Sequence, residues 1–291
     1  MVNFDMKSKP KIQDLGWGTK LKKGLVLRGD LNFGNGAKYS GALKSYSKQI
    51  PHGYGIYFFP EHGKMEKIDG VDVAIIKYYS GNFKNGKKEG KGKFFFTGQY
   101  SYEGQWKNDR LHGKGILKIW GSDEKFEGYF KNDLKVRGTW TISKQVKFIG
   151  KFKNNLPHGK GKLFEEKNIY TGDFYNGEKH GRGVSVLREK KGKMFYKGQW
   201  KNNKITGKGF FDFGDGGIYK GSFLNGERHG KGVLTESKGK KAGTSYSGIW
   251  KNSMMDGIFT FKDKKGKKEK NFGKMIILLN MFEAIQKMTS L

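Results

Sequence analysis

The sequence predicts an all-β fold: an elongated, twisted single antiparallel sheet of about nine stacked β-hairpins, followed by a C-terminal α-helix. Three observations predict it. A short phrase returns nine times: an aromatic, a glycine, a second large residue, an asparagine turn, then glycine–any–glycine. The distance from the second large residue to the next glycine is seven in seven copies, as from Phe83 to Gly90 and from Trp106 to Gly113. Within each copy, apolar residues and glycines alternate with polar residues at the period of a strand. A repeat of this length marks an array, which buries its apolar face only by stacking copies.

The copies start at Tyr39, Tyr79, Tyr102, Phe126, Phe148, Tyr170, Tyr196, Tyr219 and Tyr246. In the second, Tyr79, Gly81 and Phe83 share one face of the first strand, and Gly90, Gly92 and Phe94 share one face of the second. Asparagine stands at the turn in eight copies: Asn85, Asn108, Asn132, Asn154, Asn176, Asn202, Asn225 and Asn252. Asparagine tolerates the left-handed backbone that hairpin connections need. Mid-strand glycine often marks close approach of another group, so rings are expected to lie over the glycines of neighbouring strands. Gly138-Thr-Trp140 and Gly257-Ile-Phe259 are read as copies with a ring in place of the second glycine, with altered curvature there and Phe259 closing the array. Nine hairpins at roughly 4.8 Å per strand would extend on the order of 85 Å.

Lysine dominates the other face. It follows the second large position as Lys44, Lys84, Lys107, Lys131, Lys153, Lys201 and Lys251, and stands between the paired glycines as Lys91, Lys114, Lys160, Lys208 and Lys231, with Arg182 in a sixth copy. Two basic ladders should run opposite the rings. The formal net charge is +31, which favours polyanionic partners. Acidic proteins and anionic lipid fit this charge. Specific nucleic-acid recognition does not, because single-strand binders set rings and cations on one platform.

Residues 1–36 read as a basic arm or a degenerate first hairpin, residues 37–261 as the array, and 262–273 as a basic linker. Residues 56–78 are an insertion in which Val71, Val73 and Ile75 alternate ahead of Tyr79, predicting a lengthened strand. From 274 to 291 the chain reads as an amphipathic helix with Ile277, Leu278, Met281, Phe282 and Ile285 on one stripe. It would cap the last hairpin or dock in a partner's groove.

No catalytic constellation emerges. Gly-x-Gly recurs without the strand–turn–helix context of a phosphate loop. There are no cysteines, so thiolate catalysis, disulfides and cysteine metal sites are excluded. Five histidines precede a glycine of the second strand: His52, His112, His158, His180 and His229. Equivalent positions in successive hairpins lie roughly 10 Å apart, two strand spacings, too far to share a zinc ion bound at about 2.1 Å. No cofactor and no metal site is expected.

The pattern Tyr-x-Gly-x-Trp-x-x-Gly-x-x-x-Gly-x-Gly, carried best by Tyr79 to Gly92 and Tyr102 to Gly115, resembles the MORN (membrane occupation and recognition nexus) repeat. The resemblance covers roughly residues 37–261. Leu43 with its longer turn, Trp140, Phe259 and the insertion depart from the pattern. It implies a twisted array of hairpins and a non-enzymatic scaffold for protein–protein interaction. The setting implied is the cytoplasm and cytoskeleton, above all a ciliary axoneme as a radial-spoke or central-pair type component. Partners would be structural proteins with acidic surfaces, or a second copy. Two alternatives stay open: a peripheral adapter on anionic or phosphoinositide membrane, and a targeting subunit for a separate enzyme. For the partner groove the sequence offers Tyr79, Phe83, Tyr102, Trp106, Tyr196, Trp200 and Trp250.

Overall fold

The computed structural model describes residues 11–13, 27–44, 49–68, 70–189 and 192–273. The chain forms two units, Met1–Lys144 and Gln145–Leu291. The first holds β1 (Lys11–Gln13), β2 (Leu27–Asn32), β3 (Lys38–Leu43), β4 (Pro51–Phe58), β5 (Met65–Ile68), β6 (Val71–Ala74), β7 (Lys77–Lys84), β8 (Lys87–Phe96), β9 (Tyr100–Lys107), β10 (Arg110–Ile119), β11 (Lys125–Lys131) and β12 (Leu134–Thr141). Within it each strand pairs antiparallel with the next, except that β4 pairs β7 and β5–β6 form a ribbon of their own. The second holds β13 (Lys147–Lys153), β14 (Leu156–Phe164), β15 (Asn168–Tyr175), β16 (Glu178–Glu189), β17 (Gly192–Lys201), β18 (Lys204–Asp212), β19 (Gly217–Leu224), β20 (Glu227–Glu236), β21 (Ser245–Lys251), β22 (Met254–Lys262) and β23 (Lys268–Gly273). These follow one another in an unbroken antiparallel meander. A 3-10 turn at Gly239–Lys241 is the only helical element among the described residues.

The repeat phrase explains itself in the hairpin β9–β10. Tyr102 lies across Gly104 of its own strand and Gly115 of the partner, and a Cβ at either glycine would run into the ring. Between Gly104↔Gly115 and Trp106↔Leu111 the register shifts in a bulge. The bulge turns the carbonyl of Gln105 out of the ladder, and the Tyr102 hydroxyl donates to it at 2.9 Å. Tyr79, Tyr170, Tyr196 and Tyr219 repeat the bond to the carbonyl three residues on. The ring therefore closes the space that two glycines leave, and its polar end is satisfied inside the sheet.

The turns fasten one hairpin to the next. Asn108 and Asp109 both have positive φ, 49° and 67°, the pair of conformations that matches strand twist in a two-residue connection. Asp109 N–H donates to Lys88 O of the preceding hairpin, and Lys88 N–H donates back to Asp109 Oδ1. Asp133 clasps Leu111, and Asn203 clasps Lys179, in the same two-bond way. Where the second turn residue is glycine there is no side-chain acceptor. Gly86 then meets Pro51, Gly177 meets Pro157 and Gly226 meets Ile205; in the first two pairs proline brings no N–H that would need one.

Several expectations are corrected. The insertion does not lengthen β7: Val71 and Val73 alternate because they belong to β6, which folds back on β5. Residues 262–273 are not a linker, since Lys268–Gly273 is strand β23 on the open edge of β22. Phe259 therefore does not close the array. It does stand at the second glycine position, its ring covering Gly248 and meeting Trp250 edge-on at 5.5 Å. Trp140 replaces no glycine: Gly128 pairs with Gly138 and Phe126 with Trp140, and this copy is shorter by one residue in its bulge. Upstream, β2 adds a strand to β3. The predicted helix, with Ile277, Leu278, Met281, Phe282 and Ile285, lies outside the described residues.

Candidate functional site

The rings proposed as a partner groove are consumed by the sheet itself. Tyr79, Phe83, Tyr102, Trp106, Tyr196, Trp200 and Trp250 are at most 6% exposed. They meet edge-on: Tyr79–Trp106 at 5.2 Å, Tyr196–Trp200 at 5.4 Å, Tyr219–Trp250 at 5.4 Å. Trp106 and Trp250 donate their indole N–H to the carbonyls of Gly92 and Gly232. Burial pushes the tyrosine hydroxyls upward in pKa, Tyr219 to about 12. These side chains hold the fold, and of the seven only Trp106, 6% exposed, borders a recess.

The lysines expected outside are outside. Lys84, Lys91, Lys107, Lys114, Lys131, Lys153, Lys160, Lys201, Lys208 and Lys231 are all exposed. They do not have that face to themselves. In the second unit Lys197, Lys208, Lys220 and Lys231 surround Phe210, Val233 and Ile249 along a recess of about 1070 Å³. One ring and two aliphatic side chains thus stand among cations there, and the segregation used against nucleic acid does not hold in this patch.

The inner face holds what the sequence reading missed, a row of cations, three of them buried and Lys135 half-buried. The residue paired with the second large position is, in chain order, Pro51, Lys88, Leu111, Lys135, Pro157, Lys179, Ile205, Arg228 and Met255. Every second hairpin therefore places a cation among the rings. Lys88 Nζ lies 4.6 Å from the Trp106 ring centre, Lys135 Nζ 4.5 Å from Trp140 and Arg228 4.1 Å from Trp250. Such contacts are attractive, and more so when desolvated. Burial nonetheless lowers the pKa of all four, Lys88 to about 8 and Arg228 to about 10.

The surroundings of these cations differ. Lys179 Nζ meets Glu165 Oε1 at 3.3 Å, where the carboxylate also accepts from Asn168 Nδ2 and Asn168 Oδ1 accepts from Ser185. Arg228 donates through Nη2 to the carbonyl of Ser253. Glu124 draws the pKa of Lys135 back up against burial. Lys88 has no ion-pair partner among the described residues. It is 6% exposed and borders a recess of about 1450 Å³ in the first unit, which Phe59, Lys77, Phe94, Tyr100 and Trp106 also line.

Two of the five repeat histidines fasten the rim, while Nδ1 of His112, His180 and His229 is buried with no hydrogen-bond partner among the described residues. His52 Nδ1 accepts from Asn85 N–H and His158 Nδ1 from Asn176 N–H, each across to the next hairpin, and Glu89 does the same for Asn108. Among the described residues no group of three or more metal-ligating side chains comes together, and no helix is long and apolar enough to cross a membrane.

The family model of the MORN repeat matches residues 50–64, 79–99, 102–119, 148–164, 170–187, 196–218, 219–240 and 246–258. The hairpin that starts at Phe126, with its shortened bulge, falls between matched segments. No curated protein matches the chain. Seven of the eight matched segments begin at the first ring of a hairpin, and the chain belongs to the MORN repeat family, a non-catalytic family of scaffold repeats that bind proteins or membranes.

Proposed function

We propose that this chain is a non-catalytic scaffold that holds structural proteins together in a cytoskeletal assembly, with a ciliary axoneme of radial-spoke or central-pair type as its setting. One observation carries the reading. The residues that define the repeat are spent on the sheet itself, as buried rings, bonded hydroxyls and clasped turns. Apart from the inner-face position that Lys88, Lys179 and Arg228 occupy, what varies from copy to copy is left largely at the surface. Variable surface on a rigid frame is where recognition sits. The outward lysines give acidic neighbours a long-range attraction that salt will weaken. The axonemal setting comes from the family resemblance. Proximity labelling with a tagged full-length chain in ciliated cells tests it. Axonemal proteins with acidic surfaces are the expected neighbours. Recovery of a stoichiometric kinase, phosphatase or methyltransferase instead would favour a targeting subunit and overturn the reading.

A second reading has its own observation, the patch of Phe210, Val233 and Ile249 set among four lysines. Apolar side chains beside cations suit an anionic membrane surface. Flotation with phosphatidylserine and phosphoinositide vesicles at physiological salt checks it. Binding that survives in a Phe210→Ser, Ile249→Ser double variant would remove the patch from consideration.

A further inference from the structure

The two units solve one problem differently. In the second, Gly159, Gly161, Leu163 and Glu165 run along the inner face of the strand that precedes β15, and Lys179 follows on β16. In the first, Gly53, Gly55, Tyr57 and Phe59 occupy the same places before β7, and Lys88 follows on β8. The backbone agrees: Glu165 N–H donates to Asn168 O, and Phe59 N–H donates to Lys77 O. Phe59 thus stands where Glu165 stands, Lys77 where Asn168 stands, and Phe94 where Ser185 stands. The carboxylate and both of its polar neighbours' places have been filled by two rings and a second cation.

Lys88 is left in a cage of Phe59, Tyr79, Phe94 and Trp106, with Nζ between 4.6 and 5.7 Å from each ring centre. The other charges around it are already engaged. Glu61 Oε1 pairs with Lys77 at 3.3 Å, Asp109 Oδ1 accepts from Lys88 N–H, and Asp133 Oδ1 accepts from Leu111 N–H. A buried ammonium that makes no ion pair is costly, and Asp109 and Asp133 offset only part of that burial from farther off. Here it borders an open recess of about 1450 Å³.

We propose that this recess is a docking site for an acidic, apolar peptide segment of a partner protein, whose carboxylate seats on Lys88 Nζ and whose apolar side chains lie against Phe94, Tyr100 and Trp106. The proposal rests on the scaffold reading and names the partner chemistry for one of its faces. Charge complementarity chooses the occupant: the place that Glu165 fills from within the second unit is filled from outside in the first. A recess over the inner face of the sheet admits a side chain, whereas a bilayer surface meets only its rim.

The probe is a blocked hexapeptide, Leu-Glu-Phe-Asp-Leu-Glu, with its Leu-Gln-Phe-Asn-Leu-Gln counterpart, titrated calorimetrically into the full-length chain. The acidic peptide should bind at least about tenfold more tightly, the worth of one charge-assisted bond. Lys88→Met should abolish the difference while folding normally, since Met255 and Leu111 hold the same position in other copies. Lys88→Arg should keep it. The acidic peptide should also lose affinity between pH 7 and pH 9, because Lys88 sheds its proton near pH 8. The other titratable groups that face Lys88 or line the recess are Lys77, Lys87, Arg110, Glu61, Asp109, Asp133, Tyr57, Tyr79 and Tyr100; burial raises the pKa of the three tyrosines, and the bond to Lys77 helps lower that of Glu61. Equal binding by wild type and Lys88→Met overturns the proposal, as does binding unchanged at pH 9. So does Lys88-dependent self-association, or Lys88-dependent flotation with phosphoinositide vesicles. A Lys88→Met chain that keeps all its axonemal neighbours would sink this site and leave the scaffold reading standing.

Discussion

Lys88 and Lys179 occupy the same position in the same hairpin type, and each is more than nine-tenths buried. They teach opposite lessons about a buried charge. Lys179 belongs to a closed polar set with Glu165, Asn168 and Ser185. Nothing there is left to a ligand, and removing any member strands the others. Lys88 sits among rings with the same backbone geometry and in no ion pair, Asp109 and Asp133 acting on it only from farther off. The frame is shared, and what it is used for depends on a handful of side chains in the loop before it.

The sharpest way to break the comparison is to make Lys179 resemble Lys88. Glu165→Leu should cost about 3–5 kcal/mol of stability, the usual loss when one partner of a buried pair is removed. Asn168 Nδ2 loses its acceptor in the same step. Chemical denaturation measures it, and a loss below about 1 kcal/mol would mean that cation–ring contact alone supports the lysine, dissolving the contrast.

Removing the cation from the first unit should have the reverse sign. Lys88→Met replaces an uncompensated ammonium with the residue that the last copy carries at Met255, and should stabilise by about 1–2 kcal/mol at pH 7. The folded-state pKa near 8 lies below the ordinary 10.5. The unfolded chain therefore holds this proton more tightly than the folded chain between those values. Wild-type stability should rise relative to the variant across that window, and the gap should close by about pH 10. Denaturation of both proteins at pH 7, 8.5 and 10 checks it; a constant gap would show that Lys88 does not titrate in this range.

Much of this was legible in the strings of residues, and the parts that were not have identifiable causes. Tyr102, Gly104 and Gly115 disclose ring-over-glycine packing because glycine at a fixed distance from a ring has few other uses. Asn108 and Asp109 disclose the turn. Lys88 was hidden by its setting: Asn85-Gly86-Lys87-Lys88-Glu89 looks like a solvated turn. Yet counting back by two from Gly92 through Gly90 puts it on the ring face, and Lys179 and Arg228 obey the same count. Lys268–Gly273 looked like a linker because its sequence has no apolar period; the unpaired backbone of β22 makes it a strand. Phe59 in place of Glu165 could be seen only after register had aligned the two loops.

The smallest effect tests whether the units differ in their repeats or only in their cations. Phe126 and Phe148 fill the ring position without a hydroxyl, one in each unit, whereas Tyr102 and Tyr170 donate to the bulge carbonyls of Gln105 and Asp173. The ring supplies the burial and the steric fit over glycine, so the hydroxyl adds one buried hydrogen bond. Tyr102→Phe and Tyr170→Phe should each cost about 0.5–1.5 kcal/mol. Tyr170 has a second acceptor in His180 O at 3.3 Å and should fall at the upper end. Denaturation gives the energies, and amide exchange at the bulge shows whether the freed carbonyl loosens its neighbours. A cost above about 3 kcal/mol for either would mean that the bond shapes the bulge, and Phe126, whose bulge is one residue shorter, would then be the copy that adapted to its loss.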